Sequence, residues 1–209
     1  MKRCYLIRHA QTTWNEENRL QGHSDLPLSP LGRRQAAQVG QWFASRHLVG
    51  VITSALTRSQ QTAAAIAGGN GHRLRPVIEP AWAEMHLGAW EGLTPAQIDA
   101  RFDGAYQQWR TRPSSVIIPA AEPLEAFRHR VRQALAHAVA QVVAGEFVIV
   151  THGGVIASLL ADLLAADYDA LLQRLRLDNA GITAVECGAS LPHVLWINGT
   201  EHLEPVESS

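Results

Sequence analysis

Arg8 and His9 stand where a short apolar run, Cys4-Tyr-Leu-Ile7, gives way to a polar loop reaching Asn15. A guanidinium is a planar fork of donors matched to phosphate or carboxylate. The imidazole beside it, largely neutral near physiological pH, supplies a nucleophilic nitrogen. Two other places repeat the arrangement. Residues 49–53 lead into Ser54-Ala-Leu-Thr-Arg58, and Phe147-Val-Ile-Val150 leads into Thr151-His152-Gly-Gly154. Brought together, Arg8 and Arg58 would grip a phosphoryl group, Asn15 would add a neutral hydrogen bond, and His152, if protonated, a third cation. His9 must keep one ring nitrogen unprotonated to attack phosphorus. A leaving alkoxide also needs a proton, and so a carboxyl group with a raised pKa. Glu84 and Glu91 are the candidates, each in an apolar stretch, and spacing does not choose between them.

The elements that must position these groups follow from the pattern of the chain. The runs at 4–7, 49–53, 74–78, 147–150, 182–186 and 194–197 are short and apolar, as buried strands are. Between them lie helical patterns. One opens at Ser29-Pro30, with Ala36, Val39, Trp42 and Phe43 on its apolar face, and a second carries Arg58 in its first turn until Gly68-Gly-Asn-Gly71 breaks it. Residues 122–143 show the clearest helical spacing, and 155–166 are apolar on most faces, as a buried helix is. Strands alternating with helices predict an α/β sandwich with a mostly parallel sheet. In such sheets ligands gather outside the carboxyl ends of the strands, where Arg8, His9, Arg58 and His152 would all stand. Residues 93–123, with one short helix near 95–102 and breaks at Pro113 and Pro119, read as a lid over that edge. No shift in composition marks a second domain, so 1–209 is expected to form one domain. After Ile197 the chain reads as a polar tail that frays.

Composition narrows the function classes. Of 209 residues, 46% are hydrophobic and 18% charged, with a formal net charge of -1, a balance that favours neither nucleic acid nor an anionic membrane as partner. Any anion site must therefore be a local cluster of cations. Cys4 and Cys187 lie in apolar runs and read as small buried hydrophobes, suited to a reducing cytosol. No apolar stretch has membrane-spanning length, and too few apolar residues follow Met1-Lys-Arg for a signal peptide. The expectation is a soluble, cytoplasmic protein. Its ten histidines show no compact four-ligand zinc spacing, and no Walker loop is present, so no metal and no cofactor are expected.

Arg8-His-Ala-Gln-Thr-Thr-Trp-Asn15 resembles the signature Arg-His-Gly-Glu-Thr-x-x-Asn of the histidine phosphatase superfamily, the phosphoglycerate mutase-like acid phosphatases. Leu26-Pro-Leu-Ser-Pro-Leu-Gly32 with Gln35-Ala36, the Arg58 segment from Thr53 to Ala63, Glu84 four residues before Gly88-Ala-Trp-Glu-Gly92, and Thr151-His152-Gly-Gly154 are similar to its later motifs, in order. The resemblance implies a three-layer α/β/α sandwich whose mostly parallel, mixed sheet holds one antiparallel strand. It also implies that His9 is the phosphorylated nucleophile and Glu84 the general acid and later base. Arg8, Asn15, Arg58 and His152 would bind the phosphoryl group, and Glu91 would be structural. Ala10 and Gln11 replace Gly and Glu, which removes no catalytic group. His86 stands where many relatives carry Asp or Asn, and with Gln21 and His23 is a candidate for substrate contact. Pro119-Ala-Ala-Glu122-Pro123 is similar to a Pro-Gly-Gly-Glu-Ser segment and lacks its hydroxyl.

Mutases of this family carry an Arg-Arg-Ser-Phe/Tyr-Asp motif soon after Trp-Glu-Gly, whereas here Leu93-Thr-Pro-Ala-Gln-Ile-Asp-Ala-Arg101 follows. The cations of 93–123 are Arg101, Arg110 and Arg112, and Trp82, Trp90 and Trp109 are candidates to line an apolar entrance. The expected function is a metal-independent phosphatase acting on a small phosphorylated metabolite. A cofactor-dependent phosphoglycerate mutase is the alternative. A non-catalytic phosphate-ligand-binding protein is a further one, disfavoured because no member of the catalytic set is missing. A homodimer is common among relatives, although no sequence patch identifies an interface.

Overall fold

The structure, a computed structural model, describes residues 1–70, 74–188 and 192–203. Its elements in order are β1 (Lys2–Arg8), α1 (Thr13–Glu16), α2 (Pro30–Phe43), β2 (Leu48–Thr53), α3 (Thr57–Gly69), β3 (Val77–Ile78), α4 (Pro95–Arg101), α5 (Ala105–Thr111), α6 (Leu124–Gln141), β4 (Gly145–Thr151), α7 (Gly153–Leu163), α8 (Tyr168–Arg174), β5 (Ile182–Cys187) and β6 (His193–Gly199). Single 3-10 turns occupy Pro80–Trp82, Gly88–Trp90 and Pro113–Ser115. Among the described residues the strands form one sheet in the order β3-β2-β4-β1-β5-β6. The pairs of β1 with β4, and of β2 with β4 and β3, are parallel; β5 runs antiparallel to both its neighbours.

Strand periodicity builds the three layers. Along β1, β4 and β5, Cys4, Leu6, Phe147, Ile149, Val185 and Cys187 pack with Phe127, Val131 and Leu135 of α6 and with Val155, Ile156 and Leu159 of α7. Their neighbours in sequence, Tyr5, Ile7, Val148, Val150, Ile182 and Ala184, turn to the opposite face. There they meet Ala36, Val39 and Phe43 of α2 and Ala63 and Ile66 of α3. The α2–α3 contact depends on Gly40, where a Cβ would lie 2.5 Å from the Ala65 carbonyl oxygen. Both cysteines are free and buried, and burial pushes the Cys4 thiol well above its ordinary range.

The structure departs from the sequence expectations in four places. The third strand is confined to Val77–Ile78, both exposed at the sheet edge. Helix α3 continues through Gly68 and Gly69 to Asn70, whose amide bonds the Phe43 and Arg46 carbonyls; Gly71 lies outside the described residues. Residues 93–123 contain two short helices rather than one, and α8 adds another that its ordinary composition did not announce. Of the three tryptophans offered as an entrance, Trp82 and Trp90 are each 1% exposed and serve as core. Of the polar tail, 204–209 lies outside the described residues. No helix among the described residues is long and apolar enough to cross a membrane.

Candidate active site

The carboxyl ends of β1 and β4 are adjacent, with Arg8 paired in register with Thr151. This places His9 and His152 side by side, their ring centroids 5.2 Å apart. His9 is 3% exposed. Its Nδ1 lies 2.8 Å from the Ala10 carbonyl oxygen, and a carbonyl can only accept, so Nδ1 carries the proton and Nε2 the lone pair. Burial, reinforced by the Arg58 and Arg8 guanidinium groups, holds the His9 pKa well below the ordinary histidine value. The ring is neutral, with its basic nitrogen open.

His152 is held differently. Its Nε2 lies 2.8 Å from the Ser54 hydroxyl and 3.3 Å from that of Ser59, while Nδ1 is buried without a hydrogen-bond partner. The Ser54 hydroxyl oxygen also accepts the Leu56 N–H at 3.4 Å; when Ser54 donates its proton to His152 Nε2, Nδ1 carries the ring proton and is the open donor. Burial, with Arg58, His9, Arg8 and His23 adding to it, depresses the His152 pKa strongly. Burial first, and then the two nearby guanidinium groups, disfavour a charge on this ring, so the condition under which His152 would add a third cation is not met here.

Arg58 sits in the first turn of α3, wholly buried. Leu56, the residue before that helix, has no capping oxygen, and Asp25 substitutes by accepting from the Thr57 N–H and hydroxyl, each at 2.7 Å. Arg58 donates through its terminal nitrogens to the Ser24 and Gly22 carbonyls, at 2.8 and 2.7 Å. Desolvation lowers its pKa to about 10. Arg8 donates to the Leu177 carbonyl at 2.6 Å. Both arginines keep a buried Nε with no partner. Asn15 is fixed by the capping box of α1: its amide oxygen takes the Thr12 N–H at 3.0 Å and the Asn179 amide at 3.3 Å, which turns its NH₂ end outward from those contacts.

The two glutamates are not in the apolar surroundings their sequence suggested. Glu91 accepts from the His23, Ser24 and Leu87 N–H groups and the Ser24 hydroxyl, at 2.7–3.0 Å. Burial alone would raise its pKa, but these donors outweigh it and hold the group below its ordinary value. Glu91 is committed to tying one loop together. The Glu84 carboxylate accepts from the Met85 N–H at 2.9 Å and the Gly154 N–H at 3.0 Å. A Cβ on Gly154 would collide with the carboxylate, so a side chain there would displace Glu84 from its present position. Glu84 also acts electrostatically on both Arg8 and Arg58.

Several positioning groups left no sequence signal. Arg130 of α6 donates to the Ala81, Ala83 and Glu84 carbonyls at 2.8–3.2 Å and pairs with both Glu122 oxygens at 2.7 and 2.9 Å. The Thr151 hydroxyl donates to the Trp82 carbonyl at 2.7 Å, joining the end of β4 to the segment bearing Glu84. Asn179 holds the His9 carbonyl at 3.0 Å. Of the candidates for substrate contact, His23 donates through Nε2 to the Glu84 carbonyl at 2.8 Å, and His86 stacks edge-on against His23 with centroids 5.1 Å apart. Gln21 is 9% exposed and takes the Thr12 hydroxyl.

Beside Glu84 opens a chamber of about 1160 Å³. Leu87, Tyr106, Trp109, Ile117, Phe127 and Leu175 are among its walls, and so are Gly153, Gly154 and Leu177, which approach or bond Arg8 or Glu84. Many residues between 106 and 123 thus line the chamber, and Ile98 and Ile118 of the 93–123 segment are buried with Trp90. Among the described residues Arg110 is the one basic side chain along the walls; Arg112 instead stands 3.8 Å from Asp169. Gln21, His23 and His86 do not line it.

The chain is similar to known proteins over nearly its whole length. The family model of the histidine phosphatase superfamily (branch 1) matches residues 4–200. A probable phosphoglycerate mutase GpmB of Yersinia enterocolitica is 33% identical over 195 residues, 89% of this chain and 85% of the relative. Among solved structures, YhfR of Bacillus stearothermophilus superposes with a TM-score of 0.91 at 28% identity, covering 98% of this chain and 100% of that one. A mycobacterial glucosyl-3-phosphoglycerate phosphatase gives 0.86 at 31% identity, with 96% and 100% covered.

Proposed function

This chain belongs to the histidine phosphatase superfamily, and we propose that it is a phosphatase hydrolysing small-molecule phosphomonoesters through a phosphohistidine on His9. The superfamily and its solved neighbours support an enzyme acting on phosphate esters. One observation carries the finer reading. A buried imidazole with its Nε2 lone pair unengaged stands beside His152 and within electrostatic reach of Arg8 and Arg58, and Arg8 Nε, Arg58 Nε and His152 Nδ1 are all buried without a partner. Buried polar groups are ordinarily satisfied, and phosphoryl oxygens would satisfy all three.

In this mechanism those donors and the Asn15 amide take the non-bridging oxygens. His9 Nε2 attacks phosphorus as the bond to the ester oxygen breaks, and Glu84 delivers its proton to the departing alkoxide. Water then attacks the phosphohistidine, the Glu84 carboxylate takes its proton, and the P–N bond electrons return to Nε2. The protein's own cations balance the phosphoryl charge, so the reaction runs without a metal. Phosphate release from a panel of monoesters in EDTA tests this reading. Activity that is lost in EDTA and restored by Mg²⁺ or Zn²⁺ would overturn the metal-free step.

The mutase reading is favoured by the name of the Yersinia relative. A mutase must retain a second anion, however, and Arg110 is the one basic side chain on walls that also carry Glu84 and Glu125, Glu122 being paired with Arg130. Interconversion of phosphoglycerates in the presence of 2,3-bisphosphoglycerate, with little free phosphate, would establish it. Ester binding without turnover would instead leave a non-catalytic phosphate-binding protein.

A further inference from the structure

We propose that the chamber beside Glu84 receives the leaving group, and that the preferred substrates are phosphomonoesters of uncharged long-chain alkyl or aromatic alcohols. The proposal rests on the phosphatase reading and deepens it. Glu84 is the one proposed catalytic or phosphate-binding side chain that also lines the chamber. An acid that protonates the ester oxygen must touch it, so the alcohol beyond that oxygen extends on the Glu84 side, into the chamber. His9 and His152 lie on the other side, at the ends of β1 and β4.

The walls define the alcohol. They are mainly aliphatic and aromatic, and the volume of about 1160 Å³ exceeds what a three-carbon phosphoglycerate fills. Their charge excludes an anion. Glu122 is already paired with Arg130, Arg110 is exposed, and an acidic leaving group would still meet the Glu84 carboxyl as it departs. Ile117 adds an independent observation. It is 93% exposed while its neighbour Ile118 is 6% exposed, so it stands at the open rim of the chamber. A long alkyl chain that fills the chamber and emerges from it would pass over this side chain.

Primary n-alkyl phosphates from ethyl to decyl test the proposal, because their leaving groups share one basicity and differ in apolar length. The expected result is a kcat/KM that rises about two- to fourfold per methylene until the chamber is filled. It should also exceed that for 3-phosphoglycerate by at least about 100-fold at the long end. Ile117→Arg, an exposed change that leaves the core intact, should lower the decyl-to-ethyl ratio and raise the relative rate on 3-phosphoglycerate. A flat or falling series, or a preference for 3-phosphoglycerate, with phosphate still released, would overturn the chamber assignment and leave the phosphatase reading standing. No phosphate release from any ester would overturn both.

Discussion

The phosphoryl site and the chamber share Glu84 and differ in almost everything else. In the former His9 is pinned by the Ala10 carbonyl, Arg58 by those of Gly22 and Ser24, Arg8 by that of Leu177, and His152 by the Ser54 hydroxyl. In the latter the walls are apolar side chains on short helices, with Arg110 and Ile117 exposed. Phosphoryl transfer has one charge distribution to match, and a preorganised set of donors matches it. An alcohol offers mainly area, which asks only for apolar surface of adequate volume. On the proposed reading, fixed hydrogen bonds are concentrated where charge would develop, and apolar surface where the alcohol would sit.

Substitutions in the first region should act on chemistry, and the largest effect belongs to His9. His9→Ala should lower turnover by at least about 10³-fold while inorganic phosphate still binds; substantial residual hydrolysis would mean that another group attacks. Glu84→Gln should cost about 10²–10⁴-fold in kcat on alkyl phosphates. The loss should be far smaller on p-nitrophenyl phosphate, whose leaving group needs no proton, and equal losses on both would remove Glu84 as the acid. Arg130→Met frees the Ala81, Ala83 and Glu84 carbonyls and leaves Glu122 unpaired. It should reduce kcat by about 10- to 100-fold through misplacement of the acid, again with alkyl esters hit hardest. A uniform loss across leaving groups would make Arg130 a matter of stability alone.

The smallest effect separates the regions by pH. His9 and His152 are held neutral in the folded chain but protonate freely when unfolded, around the ordinary value of 6.5. The unfolded state then binds more protons, so stability is full above that value and is lost as pH falls through and below it. Each ring contributes up to about 1.4 kcal/mol per pH unit in that window. His202, whose pKa is also lowered by burial, adds in the same direction, whereas Glu91 and Asp178 act only at more acidic pH. Melting temperatures from pH 7 to 5 should fall, and less steeply for His9→Ala; identical slopes would show that His9 takes no part in this linkage.

The two regions also differed in how far the sequence revealed them. Arg8, His9, Arg58 and His152 each follow an apolar run, and strand ends in a parallel sheet fall on one edge, so their convergence was legible. The groups that orient them were not. Ser54 reaches His152 across 98 positions and Asn179 reaches His9 across 170, and such pairings leave no local pattern. Glu84 and Glu91 were inseparable by spacing and were told apart only by the resemblance; the physical difference, four donors around Glu91, exists only in three dimensions. The chamber was nearly invisible, because α5 and α8 are ordinary amphipathic segments whose apolar faces gain meaning only by meeting. Trp82 and Trp90 were misleading for the same reason: size and aromaticity suit a core as well as an entrance.

The central claim is that His9 Nε2 carries the phosphoryl group between the two half-reactions. Rapid quenching of the enzyme during turnover of an alkyl phosphate, followed by peptide mapping under alkaline conditions, tests it directly. The account predicts an acid-labile, base-stable phosphoryl group on the His9 peptide, attached at Nε2 by phosphorus NMR and absent from His9→Ala. Phosphate found on Ser54 or Ser59, or full turnover with no phosphorylated peptide at any quench time, would contradict it.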